Sequence, residues 1–157
     1  MAIPWRSISW NHSLLLEAFV ESNSKVIHNI NLMAKYVDGF VLVVPEKKLK
    51  DYKKMAMIGA KVWRKHGALD YKECVGQDLQ PTGMGDLVPF FPKMTGLKKG
   101  ELIIFSFIVF KSRRHRDQVN AKVMKDPAMS SENWKDKPMP FDMKRMAYAG
   151  FEVFVEL

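Results

Sequence analysis

Apolar and polar positions alternate with different periods along the chain, and each change of period marks an element. Residues 36–44 are β-branched and aromatic, and Pro45 ends the run, which predicts a strand. Over residues 47–66, Leu49, Tyr52, Ala56, Gly59, Ala60 and Trp63 recur at helical spacing, with lysines on the other face. Gly67 supplies the stop. Residues 69–75 set Leu69, Tyr71, Glu73 and Val75 against Asp70, Lys72 and Cys74, the alternation of a half-exposed or edge strand. Residues 102–110 form the clearest strand in the chain. Ser112 can cap a following helix that runs to about Lys125, with Val119 and Val123 as its apolar stripe and Asp126-Pro127 as its stop. Residues 149–157 alternate Phe151, Val153, Val155 and Leu157 with Glu152, Phe154 and Glu156, a final strand. The segments 76–100 and 127–141, rich in Pro and Gly or in Pro, Ser and Lys, read as long irregular connections, which are usually functional or mobile.

The order is β-α-β-β-α-β. It predicts an α+β fold of the ferredoxin-like type, with a four-stranded antiparallel sheet. Two helices can cover one face of such a sheet, so the other should read polar if it meets water. Here it does not. In the first strand Phe40, Leu42 and Val44 oppose Val37, Val41 and Val43; in the third, Leu102, Ile104, Ile108 and Phe110 oppose Ile103, Phe105, Phe107 and Val109. Both faces of both strands are apolar, and monomers rarely expose so large an apolar wall. The expected cover is a second copy, packed sheet to sheet as a homodimer.

Composition narrows the class without naming an activity. The 157 residues are one domain's worth. The longest apolar run, residues 102–110, is interrupted by Ser106 and is far short of the roughly twenty residues that span a bilayer. Cys74 stands alone, which excludes an intrachain disulfide and a cysteine-based metal cluster. No secretory or transit signal is recognisable, so a cytoplasmic protein without membrane contact is expected. The net charge of +8 lies entirely in residues 33–157, because Arg6 and Lys25 balance Glu17 and Glu21 in residues 1–32. That first segment reads as a flexible extension or an upstream-start artefact ahead of Met33, although Leu14, Leu15, Ala18 and Phe19 have the spacing of one short amphipathic helix. Residues 33–157 form the single domain.

Four segments carry a family resemblance. They are Tyr36-Val-Asp-Gly-Phe-Val-Leu-Val-Val-Pro45, Lys61-Val-Trp-Arg-Lys-His-Gly-Ala-Leu69, Phe110-Lys-Ser-Arg-Arg-His-Arg-Asp-Gln-Val-Asn-Ala-Lys-Val-Met124 with Lys125-Asp-Pro127, and Met139-Pro-Phe-Asp-Met-Lys-Arg-Met-Ala-Tyr-Ala-Gly-Phe-Glu152. In this order, over about residues 33–156, the chain resembles the bacterial YbaA-like family of unknown function. The resemblance implies a dimeric α/β barrel, in agreement with the two-faced sheet. It brings no catalytic residues with it.

Candidate chemistry rests on few residues. His66 follows Trp63 on the first helix, and His115 shares the Val119 stripe; two histidines beside the sheet would suit acid–base work. The plainer reading is a helix-terminal His beside Gly67 and a partly buried, satisfied His. Asp38 shares the face of Phe40 and Leu42, where a carboxylate needs a partner; Arg116, Lys144 and Arg145 are the candidates, and a raised-pKa acid is the alternative. Trp63, Ser106, Arg145 and Tyr148 are the candidate pocket residues. No metal-ligand spacing, phosphate loop or cofactor motif occurs, so no metal or cofactor is expected.

The function expected is binding of a small apolar or aromatic ligand between sheet and helices, with Asp38, His66 or His115 as candidate catalytic groups. The alternative is a non-enzymatic basic module that binds RNA or a protein. RNA-recognition motifs share the element order, and Phe105-Ser-Phe-Ile-Val-Phe110 partly resembles their aromatic strand. But Ile103-Ile104 stand where that motif has a basic residue and a glycine, so nucleic-acid contact would be weak and non-specific.

Overall fold

The computed structural model describes residues 35–80, 90–133, 135 and 138–156; the N-terminal extension expected over residues 1–32, with its short helix, lies outside them. Strand β1 (Tyr36–Pro45) leads through a 3-10 turn at Glu46–Lys48 into helix α1 (Leu49–His66). Strand β2 (Asp70–Val75), the short helix α2 (Phe90–Thr95) and strand β3 (Glu101–Phe110) follow. Helix α3 (Arg113–Val123) and three 3-10 turns then lead to strand β4 (Ala147–Glu152). The four strands form one antiparallel sheet in the order β2-β3-β1-β4. The fold is therefore α+β, with a four-stranded antiparallel sheet.

The register explains where the core sits. Leu42 pairs with Ile104, and Asp38 with Ile108, so alternate residues of β1 and β3 share one face. On that face Leu42, Val44, Ile104, Ile108 and Phe110 are buried against Tyr52, Ala56 and Val62 of α1 and Val119 and Val123 of α3. The opposite face is also apolar. Val43 and Ile103 are buried there, Val37, Val41, Phe107 and Val109 are half-buried, and Phe105 and Phe151 remain 43% and 56% exposed. Covering a phenyl ring contributes on the order of 1.5–3 kcal/mol, so these exposed rings leave burial energy unused in a single chain.

Two elements differ from the sequence expectation. Residues 76–100 are not wholly irregular, because α2 interrupts them, closed by Gly96 at φ +58°. Strand β4 runs over 147–152 and not 149–157. Its partner β1 begins at Tyr36, opposite Glu152, and the Val153 N–H donates to the Lys35 carbonyl (2.9 Å) as the last sheet-like bond. Phe154, past this bond, is 93% exposed.

The helix ends follow local chemistry. Ser112 caps α3, its hydroxyl accepting from the His115 N–H at 3.2 Å. Gly67 ends α1 in the left-handed region at φ +113°, where a side chain would be strained. Asp126 fastens this corner. Its carboxylate accepts from the Ala128 N–H (3.0 Å) and meets Lys65 Nζ (2.7 Å) and His66 Nε2 (2.8 Å). These contacts, that of Lys65 first, hold its pKa well below the ordinary 3.8. A depressed carboxylate contributes stability above its unfolded pKa and loses it as pH falls toward its folded one. Denaturant titrations should therefore show wild type more stable than Asp126→Asn at pH 7, with the gap narrowing steadily below about pH 4; a gap independent of pH would contradict this role.

Candidate functional site

Helix α1 packs on the sheet through Tyr52, Ala56 and Val62, and a cavity lies beside these contacts. The small residues Ala56 and Gly59 face β1 and β3, and between them is a cavity of about 330 Å3. Its walls are mainly aromatic and thioether groups: Phe40, Trp63, Phe141, Met55, Met129, Met139 and Met146. The methionines and Phe141 come from α1 and from the segment that follows α3. Unbranched thioethers suit an adaptable wall.

One polar cluster interrupts this lining. Tyr52 of α1 and Tyr71 of β2 each donate a hydroxyl hydrogen bond to Glu73, at 2.7 Å to Oε2 and 2.8 Å to Oε1. Ser106 of β3, the register partner of Glu73, lines the cavity beside this pair. Burial, and next the Glu73 carboxylate, push both phenols well above their ordinary range, so both hydroxyls keep their protons. The same Tyr52, Tyr71 and Glu73 also line a groove of about 430 Å3 that reaches Lys53, Met57 and Val75. Met55 and Met139 likewise border a wider outer cleft at Asp51, Lys54 and Asn133. The cavity thus has a polar wall on one side and a methionine-lined wall on another.

Behind Trp63 lies a second network. The indole N–H donates to Asn120 Oδ1 at 2.9 Å, and Asn120 Nδ2 approaches Asp38 Oδ2 at 3.4 Å. Asp38 is 2% exposed, and Arg116 Nε lies 3.4 Å from its Oδ1. Of the partners weighed from sequence, Arg116 is the one the structure brings to it. Burial raises the Asp38 pKa, while Arg116, Asn120 and Tyr148 oppose the rise. Tyr148 stacks on Phe40 with ring centroids 4.8 Å apart. Arg116 lies over the Tyr36 ring, 5.0 Å from its centroid.

The remaining sequence candidates stand elsewhere. His66 is tied to Asp126 at the end of α1. His115 accepts from the Lys111 N–H at 3.2 Å and packs edge-on to Phe110; burial, then Lys111 and Lys122, lower its pKa. Arg145 makes a two-pronged contact with Glu101 (2.7 and 2.8 Å) and donates to the carbonyls of Thr95 and Gly96, which anchors the end of α2. That contact, chiefly the Arg145 hydrogen bond, lowers the Glu101 pKa to about 2. So Trp63 and Ser106 line the cavity, Asp38 and Tyr148 stand behind its wall, and His66, His115 and Arg145 serve other corners. Sequence reading missed Tyr52, Tyr71 and Glu73 as a unit. The signal was present: alternation in residues 69–75 puts Glu73 in the apolar register with Tyr71 two positions before it. Among the described residues, no three His, Cys, Asp or Glu side chains converge as metal ligands. No helix among them is long and apolar enough to cross a membrane.

Residues 35–143 match the family model described as "Protein of unknown function (DUF1428)". "Uncharacterized protein YbaA" of Escherichia coli K12 is 39% identical over 122 residues, which cover 78% of this chain and 98% of that protein. The protein of the same name from Shigella flexneri matches to the same extent. The match takes in β1 to α3 and the segment that closes the cavity, and the chain belongs to the DUF1428 family of proteins of unknown function.

Proposed function

We propose that this chain is a homodimeric α/β-barrel protein of the ferredoxin-like class that binds a small apolar or aromatic ligand between its sheet and α1. The observation that carries the ligand is the cavity of about 330 Å3, walled by aromatic and methionine side chains around one polar cluster. Ligand sites are typically concave and mostly apolar, with a few convergent polar groups that fix orientation, and this volume is at the small end of their range. Binding is the activity that the lining supports. Asp38, His66 and His115 are absent from the described lining, so acid–base chemistry by them would need a substrate that reaches past Trp63 or the helix ends.

Supporting the ferredoxin-like class is the strand order β2-β3-β1-β4, with α1 and α3 packed on one face. Supporting the dimer is the far face, where Phe105 and Phe151 lie exposed beside half-buried Val37, Val41, Phe107 and Val109. A two-fold partner would cover the same patch on both copies.

Two measurements test these readings separately. Indole titrated into protein with methyl-labelled methionines should shift the Met55, Met129 and Met139 resonances together and to saturation; resonances that do not move, or move without saturating, would contradict the ligand reading. Analytical ultracentrifugation at micromolar concentration should return twice the chain mass, and Phe105→Asp should return the single mass. A wild-type monomer would remove the dimer.

A further inference from the structure

The inventory of hydrogen-bond donors and acceptors around the cavity specifies its occupant more narrowly, given the ligand reading above on which this inference rests. Among the described lining residues the polar side chains are Tyr52, Trp63, Tyr71, Glu73 and Ser106. The phenol and indole donors they carry are already committed. Both phenol hydroxyls donate to Glu73. The Trp63 N–H donates outward to Asn120, and Ser106 carries the one remaining hydroxyl among these side chains. The strand backbone of β1 and β3 is paired in the sheet.

What remains for a ligand is chiefly acceptor capacity. A carboxylate has about four lone-pair positions, and the two tyrosines fill about two of them. The phenol oxygens have lone pairs left, but they hold their protons against Glu73 and cannot turn them to a guest. Among the described lining side chains, a carboxylate, phosphate or carbonyl guest would find only the Ser106 hydroxyl as a donor, and it would face the Glu73 carboxylate. A neutral alcohol could donate one hydrogen bond. A protonated amine offers three N–H donors and a charge opposite to that of the carboxylate, so it is the chemistry most favoured. The aromatic rings act in the same sense, because a cation over the face of a tyrosine or tryptophan is attracted by the ring quadrupole. Trp63 and Tyr71 stand next to each other, with centroids 6.2 Å apart, beside the carboxylate. No lysine or arginine is among the described lining residues to compete for Glu73 within the cavity.

We infer that the cavity selects an organic ammonium ion, an amine with a small aromatic or aliphatic body, whose head group is received by Glu73 between Tyr52 and Tyr71. The body would lie against Phe40, Phe141 and the methionines. The ammonium would face the sheet edge at β2, and the neighbouring groove that shares these three residues would lie behind it.

Calorimetric titration with three probes of one shape tests this: 2-phenylethylamine, 2-phenylethanol and phenylacetate. The amine should bind at least tenfold more tightly than the alcohol, and phenylacetate should not bind. In Glu73→Gln, which preserves size and an acceptor oxygen, the amine should lose its advantage while the alcohol keeps its affinity. If that variant fails to fold, the wild-type ranking of the three probes decides alone. Equal affinity for amine and alcohol, or tighter binding of phenylacetate, would overturn the ammonium assignment and leave the cavity as a ligand site. Saturable binding of none of the three would overturn both.

Discussion

A carboxylate placed in an apolar register must be given partners, and how Glu73 meets that demand organises the region around it. Glu73 is half-buried, and the chain supplies it with one hydroxyl from β2 itself and one from α1. The second bond reaches across from helix to sheet edge. It ties the first turn of α1 to β2, an edge strand that pairs with β3 and meets α1 again through Trp63 and Tyr71. On the sheet face, α1 packs through Tyr52 and Ala56 against Leu42, Val44 and Ile104, and through Val62 against Ile108 and Phe110. The small residues Ala56 and Gly59 keep the cavity open. The cavity therefore has the Tyr52–Glu73–Tyr71 bridge as its polar wall within an otherwise apolar core.

The β1–β3 pair supplies the other constraint. These strands lie at the centre of the sheet, and each directs apolar side chains to both faces. On the helix face the demand is met twice, by one cluster around Phe110, Val62 and Val119 and another around Leu42, Ile104 and Tyr52. The cavity lies where these two clusters meet, with Phe40 packed against both. The buried Asp38–Asn120–Trp63 network stiffens this junction from behind, since Trp63 is fixed by its indole hydrogen bond as well as by packing. An aromatic wall held in that way can present one face to a guest without collapsing into the space.

The fold was legible where period and punctuation agreed. Tyr36 to Pro45, the α1 stripe ended by Gly67, and the Ser112 cap all combine a hydrophobic period with a local signal, and all became the elements they imply. The end of β4 was not legible, because alternation continues through Val155 while pairing stops where β1 starts. Helix α2 was hidden in a Pro- and Gly-rich stretch, and its anchor is Arg145, a residue distant in sequence whose contacts with Glu101, Thr95 and Gly96 leave no trace in local pattern. The site divides in the same way. Trp63 and Ser106 could be read from one strand or helix at a time. Tyr52, Tyr71 and Glu73 required knowing that α1 crosses β2, which is a fact of tertiary structure, although a glutamate in an apolar register was a clue to a buried partner.

The bridge itself is the quantity on which this account stands. A double-mutant cycle on folding stability with Tyr52→Phe, Glu73→Gln and the pair measures it directly. Hydrogen bonds to charged groups contribute about 1.5–3 kcal/mol, so a coupling on the order of 1 kcal/mol or more is expected between these two positions. Additive effects, with coupling near zero, would mean that α1 and β2 are not joined through Glu73 and that the cavity's polar wall is not a coupled bridge.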